Sequence, residues 1–240
     1  MKTIGLIGGM SWESSIEYYR IINEAVRDRL GGLHSARSLM FSVDFAEIED
    51  LQHRGSWDEA AGILVEAARR LERGGADFVL LCTNTMHKLA EDVQRAIAVP
   101  LLHIADATAA AVRAEGLRAV GLLGTRFTME KEFYRGRLAR HGLTVLIPEA
   151  GDREVVHRVI YEELVLGVIR EESRGEFRRI IGALARRGAG GVVLGCTEIG
   201  LLVKQEDSAI PLFDTTTLHA LAAVAAALQP APAPASGNRT

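Results

Sequence analysis

The sequence is short of cysteine, with two in 240 residues, which excludes a scaffold held together by disulfides. It also lacks an excess of either charge. With 28 Lys and Arg against 31 Asp and Glu, the net of −3 offers no basic field to gather nucleic acid or anionic lipid, so neither is expected as a partner. Long apolar runs are missing as well: glycine, charge or proline interrupts every candidate before the roughly 18 residues needed to span a bilayer. The N-terminus carries only Lys2 before an apolar run broken by Gly5, Gly8 and Gly9, and it enters Trp12-Glu13 without a small-residue cleavage site. It does not read as a secretory signal, and a cytoplasmic location is expected. Nucleotide loops are absent. In Gly5-x-x-Gly8-Gly9, Ile7 stands where the dinucleotide fingerprint requires glycine, and no Gly-x-x-x-x-Gly-Lys-Ser/Thr occurs. The histidines are scattered without ligand spacing, so no metal site is expected.

What is present is apolar residue in quantity, 48% of the chain, arranged in short runs that alternate with longer amphipathic segments. That alternation is the signature of βα units around a buried parallel sheet, and the class is α/β. Strands are expected over residues 3–7, 39–45, 77–81, 101–104, 119–123, 144–147, 191–194 and 211–213. Most are continuous rather than alternating, as strands covered on both faces must be. Helices are expected over 14–30, 57–73, 85–96, 105–114, 129–141, 152–166, 174–187 and 216–228.

The chain also repeats itself. Ile4-Gly-Leu-Ile-Gly-Gly9 returns as Val120-Gly-Leu-Leu-Gly-Thr125. Phe78-Val-Leu-Leu-Cys-Thr-Asn-Thr85 returns as Val192-Val-Leu-Gly-Cys-Thr-Glu-Ile199, and Val99-Pro-Leu-Leu-His-Ile104 as Ile210-Pro-Leu-Phe-Asp-Thr215. Three ordered matches, one of which pairs the two cysteines, indicate two related halves. Residues 1–116 together with 211–228 are assigned to the first α/β domain and 117–210 to the second. Residues 229–240, rich in Pro and Ala, read as a disordered tail.

Each cysteine ends an apolar strand where a polar turn begins, the place where doubly wound folds bind ligands. Two such halves facing one another would put Cys82 and Cys196 on opposite walls of one crevice. Inversion of a carbon centre needs that arrangement, with one group removing a proton from one face and another delivering a proton to the opposite face. A thiol can do either once its surroundings tune it. Thr83, Asn84 and Thr85 follow Cys82, while Thr197 and Glu198 follow Cys196, and these polar groups are candidate substrate contacts. Glu198 could orient or deprotonate Cys196, whereas its counterpart Asn84 is neutral, so the two thiols are expected to be inequivalent. Thr83, Asn84 and Thr197 read equally well as ordinary helix caps. The turn Gly124-Thr125, copying Gly8-Gly9, should open onto the same crevice and contribute Thr125.

These motifs resemble the two signatures of the aspartate/glutamate racemase family, from Val79 to Lys88 and from Val192 to Leu202. The segments Gly8–Ser14, Ser42–Phe45, Leu102–Ala107, Gly124–Met129 and Phe133–Leu138 are most similar to its enterobacterial broad-specificity amino-acid racemases. The resemblance spans about residues 1–228. It implies two similar doubly wound, flavodoxin-like domains related by a pseudo-twofold axis, with the active site in the cleft between them, commonly in a homodimer. It implies a racemase of amino acids that uses no cofactor, pyridoxal phosphate included, with Cys82 and Cys196 as the proton donor and acceptor. By the same resemblance Thr83 and Asn84 contact the substrate carboxylate and ammonium, Met10 makes a backbone contact and Gln52 a further one. From composition and spacing alone Gln52 reads as an exposed loop residue. Asp44 and Glu47 stand where aspartate-specific members present an arginine, which disfavours an acidic substrate. Broad specificity, aspartate or glutamate all remain open. The rivals are a hydantoin racemase or maleate cis/trans isomerase type of enzyme, and a non-catalytic bilobed binding protein.

Overall fold

The structure is a computed structural model that describes residues 1–229, so the expected tail lies outside the described residues apart from Gln229. The described chain runs β1 (Ile4–Gly8), α1 (Trp12–Leu30), β2 (Ser38–Ser42), α2 (Phe45–Arg54), α3 (Trp57–Arg73), β3 (Phe78–Leu81), α4 (Ala90–Ala96), β4 (Leu101–Leu102) and α5 (Ile104–Ala114). It continues with β5 (Ala119–Gly124), α6 (Arg126–Glu130), α7 (Glu132–Arg140), β6 (Thr144–Leu146), α8 (Ala150–Glu162), α9 (Glu171–Arg186), β7 (Val192–Gly195), α10 (Ile199–Leu202), β8 (Leu212–Asp214) and α11 (Thr215–Leu228). Short 3₁₀ turns at Thr85–Leu89, Leu164–Leu166 and Gln205–Asp207 join some of them.

The strands form two four-stranded sheets of identical order, β2-β1-β3-β4 and β6-β5-β7-β8, with all neighbours parallel. The apolar continuity of the central strands explains their position: every residue of β1, β3 and β7 is buried. In each sheet the strand order reverses beside the central strand, β1 or β5, and a crevice opens there at the carboxyl ends of the strands.

The helices divide less simply than the sequence suggested. The segment 211–228 was assigned whole to the first domain, yet β8 pairs with β7 at the edge of the second sheet. Only α11 goes across, burying Ala220, Ala223, Val224 and Ala227 against Ile4, Leu6, Tyr18, Ile22 and Val26. The reciprocal exchange was not foreseen. After β4 of the first sheet, α5 buries Ile104, Ala105, Ala109 and Val112 against Val120, Leu122, Tyr134 and Leu138 of the second half. The residues at the two crossings correspond in the repeat and act alike as caps. His103 Nδ1 accepts from Ala105 N at 3.1 Å, and Asp214 Oδ1 accepts from Thr216 N at 2.9 Å. Because α11 is apolar nearly all round, it is stable only when buried on more than one side, and it packs against both α1 and α5.

Helix α2 was missed, as was the short α10. The expected strand 39–45 stops at Ser42, and Asp44 Oδ1 accepts from Ala46 N at 3.0 Å to start α2, which Gly55 ends in the left-handed conformation. Ile48, Leu51 and Gln52, spaced i, i+3, i+4, then share its buried face. The expected helix 129–141 is two helices that meet at Lys131, whose extended backbone breaks the run.

Candidate active site

The carboxyl ends of β1, β3, β5 and β7 converge on a cleft with about 440 Å³ of empty space, part of it open to solvent. Met10 and Ser11 follow β1, Thr83, Asn84 and Thr85 follow β3, Thr125 follows β5, and Cys196, Thr197 and Glu198 follow or end β7. Close approach in these turns requires glycine. Gly9 has φ +91°, and a Cβ there would lie 2.2 Å from the Val43 carbonyl oxygen.

Cys196 is buried but reaches the cleft, and its Sγ donates to Glu198 Oε2 at 3.0 Å. Thr197 Oγ1 donates to the same oxygen at 2.7 Å, while Ser11 Oγ and Ser14 Oγ each donate to Oε1 at 2.8 Å. Burial pushes the Cys196 thiol well up, and the Glu198 charge and hydrogen bond add to this; backbone N–H groups of Glu198 and Ile199 pull the other way. Across the cleft, Asn84 Nδ2 donates to Thr215 Oγ1 at 2.9 Å, and Thr215 Oγ1 donates to the Leu194 carbonyl at 2.8 Å. The second bond leaves the Thr215 oxygen only as an acceptor, which fixes the Asn84 amide orientation. Asn84 Oδ1 is consequently left buried with no partner among the described residues, an acceptor available to an ammonium group. The Thr85 and Thr125 hydroxyls meet from opposite halves at 3.2 Å.

Of the residues singled out in the sequence, Met10, Gln52, Thr83, Asn84, Thr85, Thr125, Cys196, Thr197 and Glu198 all line this cleft. Cys82 does not. Its side chain is fully buried among Ile4, Leu6, Tyr18 and Leu80, with no hydrogen bond to Sγ among the described residues, and burial alone pushes its thiol up. The expected inequivalence of the thiols therefore goes beyond Asn84 versus Glu198, because one thiol faces the cleft and the other is sealed one residue behind Thr83. Gln52 is not an exposed loop residue. It is 5% exposed on α2, with Nε2 donating to Met86 Sδ at 3.0 Å. Asp44 and Glu47, read as neighbours of the side-chain pocket, are exposed and do not line the cleft; Asp44 caps α2 instead. No Lys or Arg lines it among the described residues.

The sequence reading missed several wall residues. Phe45, Ile160, Tyr161 and Val165 went unassigned to the site. The tyrosine hydroxyl, pushed up to about 12 by burial and by the neighbouring Cys196, Glu49 and Glu198 charges, stays protonated. The Ser11/Ser14 pair has its counterpart in Thr125 and Thr128: Ser14 N donates to Ser11 Oγ and Thr128 N to Thr125 Oγ1, each at 3.4 Å. His87, outside the cleft, secures the Cys82 turn: Nδ1–H donates to the Thr83 carbonyl at 2.7 Å, and Nε2 accepts from Ile104 N at 3.1 Å. Burial, with His103 and His219 nearby, keeps it neutral. Among the described residues no cluster of His, Cys, Asp and Glu could hold a metal ion, and no helix is long and apolar enough to cross a membrane.

Comparison with known proteins agrees with this fold. A broad specificity amino-acid racemase, RacX of Bacillus subtilis (strain 168), is 26% identical over 174 residues, covering 70% of this chain and 72% of its own. A Yersinia pestis protein solved as a candidate Asp/Glu racemase is 56% identical with a TM-score of 0.91, over 95% of this chain and 100% of its own. An aspartate racemase homologue from Pyrococcus horikoshii OT3 is 35% identical with a TM-score of 0.84, again over 95% and 100%. The family model described as Asp/Glu/Hydantoin racemase matches residues 7–223, and the chain belongs to that family.

Proposed function

We propose that this chain racemises free amino acids with small or uncharged side chains, without pyridoxal, by proton transfer between Cys196 and Cys82. The observation that carries the reading is the Cys196–Glu198 hydrogen bond opening onto a cleft also lined by Asn84, whose buried Oδ1 has no partner among the described residues. Glu198 accepts the Cys196 proton, and the thiolate takes the α-hydrogen from one face of the substrate. Asn84 Oδ1 accepts from the ammonium group. The hydroxyls of Thr83, Thr85 and Thr125 face the carboxylate, on which negative charge grows as the Cα–H bond breaks. The Cys82 thiol then delivers its proton to the opposite face. The enzyme is left with its protons exchanged, which suits it to the other enantiomer, and exchange with water restores the starting state. Cys82 takes part only after the Thr83–Thr85 turn shifts to uncover its sulfur. A cleft wall without Lys or Arg supports the preference for uncharged side chains, since a second carboxylate would enter beside Glu198 with no counter-charge.

The sealed Cys82 also supports a second reading, in which Cys196 alone carries the proton to and from both faces. Initial-rate racemisation in deuterium oxide separates the two. With two bases, the product gains deuterium at Cα while recovered substrate stays unlabelled, and Cys82→Ser and Cys196→Ser each abolish turnover. Early label in recovered substrate, with Cys82→Ser still active, establishes the one-base reading instead. An unexchanged α-proton across alanine, serine, methionine and aspartate refutes both.

A further inference from the structure

Glu198 belongs to the second half, yet two of the four hydrogen bonds on its carboxylate come from the first. Ser11 and Ser14, at the start of α1, hold Oε1, while Cys196 and Thr197 hold Oε2. Four donors lie within hydrogen-bond distance of the carboxylate, and because a hydroxyl has a single proton, either Ser14 or Thr197 donates to the other at any moment. Ser14 Oγ also lies 2.5 Å from Thr197 Oγ1 and Ser11 Oγ 3.3 Å from Ser14 Oγ, so the serines form one network with the turn that carries the thiol. The side chains of Glu198, Ser11 and Ser14 are all buried, at 4%, 4% and 3% exposure. Among the described residues no Lys or Arg lines the cleft beside this carboxylate. An arginine would hold it as a bidentate ion pair, whereas the hydroxyls fix its direction through single hydrogen bonds. Among the described residues both hydrogen bonds to Oε1 come from the first half, and the terminal torsion of a glutamate is soft. Without the serines the carboxylate is free to turn away from the thiol.

We infer that Ser11 and Ser14 are positioning residues that reach across the cleft and aim Glu198 at Cys196, so that the first half of the molecule assembles the base that the second half uses. This rests on the reading of Cys196 as an acid/base group. The base is then complete only while the two halves are together, which ties proton abstraction to the closed cleft.

The test uses Ser14→Ala, Ser11→Ala/Ser14→Ala and the hydroxyl-preserving Ser14→Thr in the full chain. Three quantities are read: kcat and KM for each enantiomer of alanine, and the pH midpoint of Cys196 alkylation by iodoacetamide, followed by peptide mass. Ser14→Ala is expected to lower kcat about 10-fold and the double variant about 100-fold, the loss of one and two charge-assisted hydrogen bonds. KM should stay within about threefold, the alkylation midpoint should move, and Ser14→Thr should restore the rate to within about threefold. A merely structural role would leave the midpoint in place. Serine variants with wild-type kcat and an unmoved midpoint, in a protein that Cys196→Ser inactivates, overturn this inference alone. If Cys196→Ser is as active as wild type, the thiol reading fails, and this inference with it.

Discussion

Replacement of Glu198 by glutamine separates a base from a spectator. The substitution keeps the volume and the hydrogen-bonding capacity but removes the charge that faces Cys196 Sγ at 3.0 Å. Two effects of opposite sign follow. That charge and its hydrogen bond help hold the Cys196 thiol up, so removing them lowers the thiol, and alkylation of Cys196 should reach its midpoint at lower pH in Glu198→Gln. Racemisation should nevertheless fall. The amide cannot accept a proton, and loss of a positioned general base typically costs about 10² to 10⁴ in rate, or about 3–5 kcal/mol in the barrier. Four donors also now face a group with one acceptor oxygen, so Ser11, Ser14 or Thr197 must turn to accept from the new NH₂. The assay pairs initial rates of alanine racemisation with iodoacetamide labelling across pH on the same preparations. A more readily ionised but less active Cys196 is the expected result. An alkylation midpoint that rises or stays put, or a rate within about threefold of wild type, would refute the assignment of Glu198 as the base.

Three further outcomes follow from the structure. Burial holds His219 down at about 4 and His103 at about 3, so the folded chain binds fewer protons than the unfolded chain below the ordinary histidine range near 6.5. The stability this represents is intact above about pH 6.5 and is lost as pH falls toward 4; His219 alone should remove roughly 2 kcal/mol between pH 7.5 and 5 in urea unfolding, a slope that His219→Gln should flatten. Equal stability at both pH values in wild type would contradict it. Gly9→Ala places a Cβ 2.2 Å from the Val43 carbonyl at φ +91° and should cost about 2–4 kcal/mol as well as activity, because Met10 and Ser11 follow directly. Gly55→Ala, at φ +73° with open space around it, should cost only about 1 kcal/mol and leave the rate alone. In a substrate panel, alanine and serine should be racemised at least about 10-fold faster than aspartate, because a second carboxylate in this cleft would meet Glu198 and no Lys or Arg. Equal rates would show that a cation reaches the side-chain end.

The repeat made the α/β class, the two halves and the neighbourhood of both cysteines readable before any coordinates. Central strands must be apolar throughout, and a strand end followed by Cys-Thr has the same meaning in either copy. Gln52 was misjudged for a local reason: the Asp44 cap that starts α2 was taken as part of a strand, and with that helix missed a buried side chain reads as a loop residue. The exchange of α5 and α11 left no trace in periodicity, because an amphipathic helix shows how much of its surface is apolar and not which sheet will cover it.

The sequence alone determined which residue types stand at the ends of the central strands, because strand burial and turn chemistry are local and repeat with the chain. Only the tertiary structure decided that Cys196 faces the cleft with a carboxylate at its sulfur while Cys82, its counterpart, is sealed in the core. Only it revealed that Ser11 and Ser14 cross from one half to hold that carboxylate in the other. Burial and hydrogen bonding between residues more than 180 positions apart depend on how the two halves meet, and no local pattern in either half encodes that meeting.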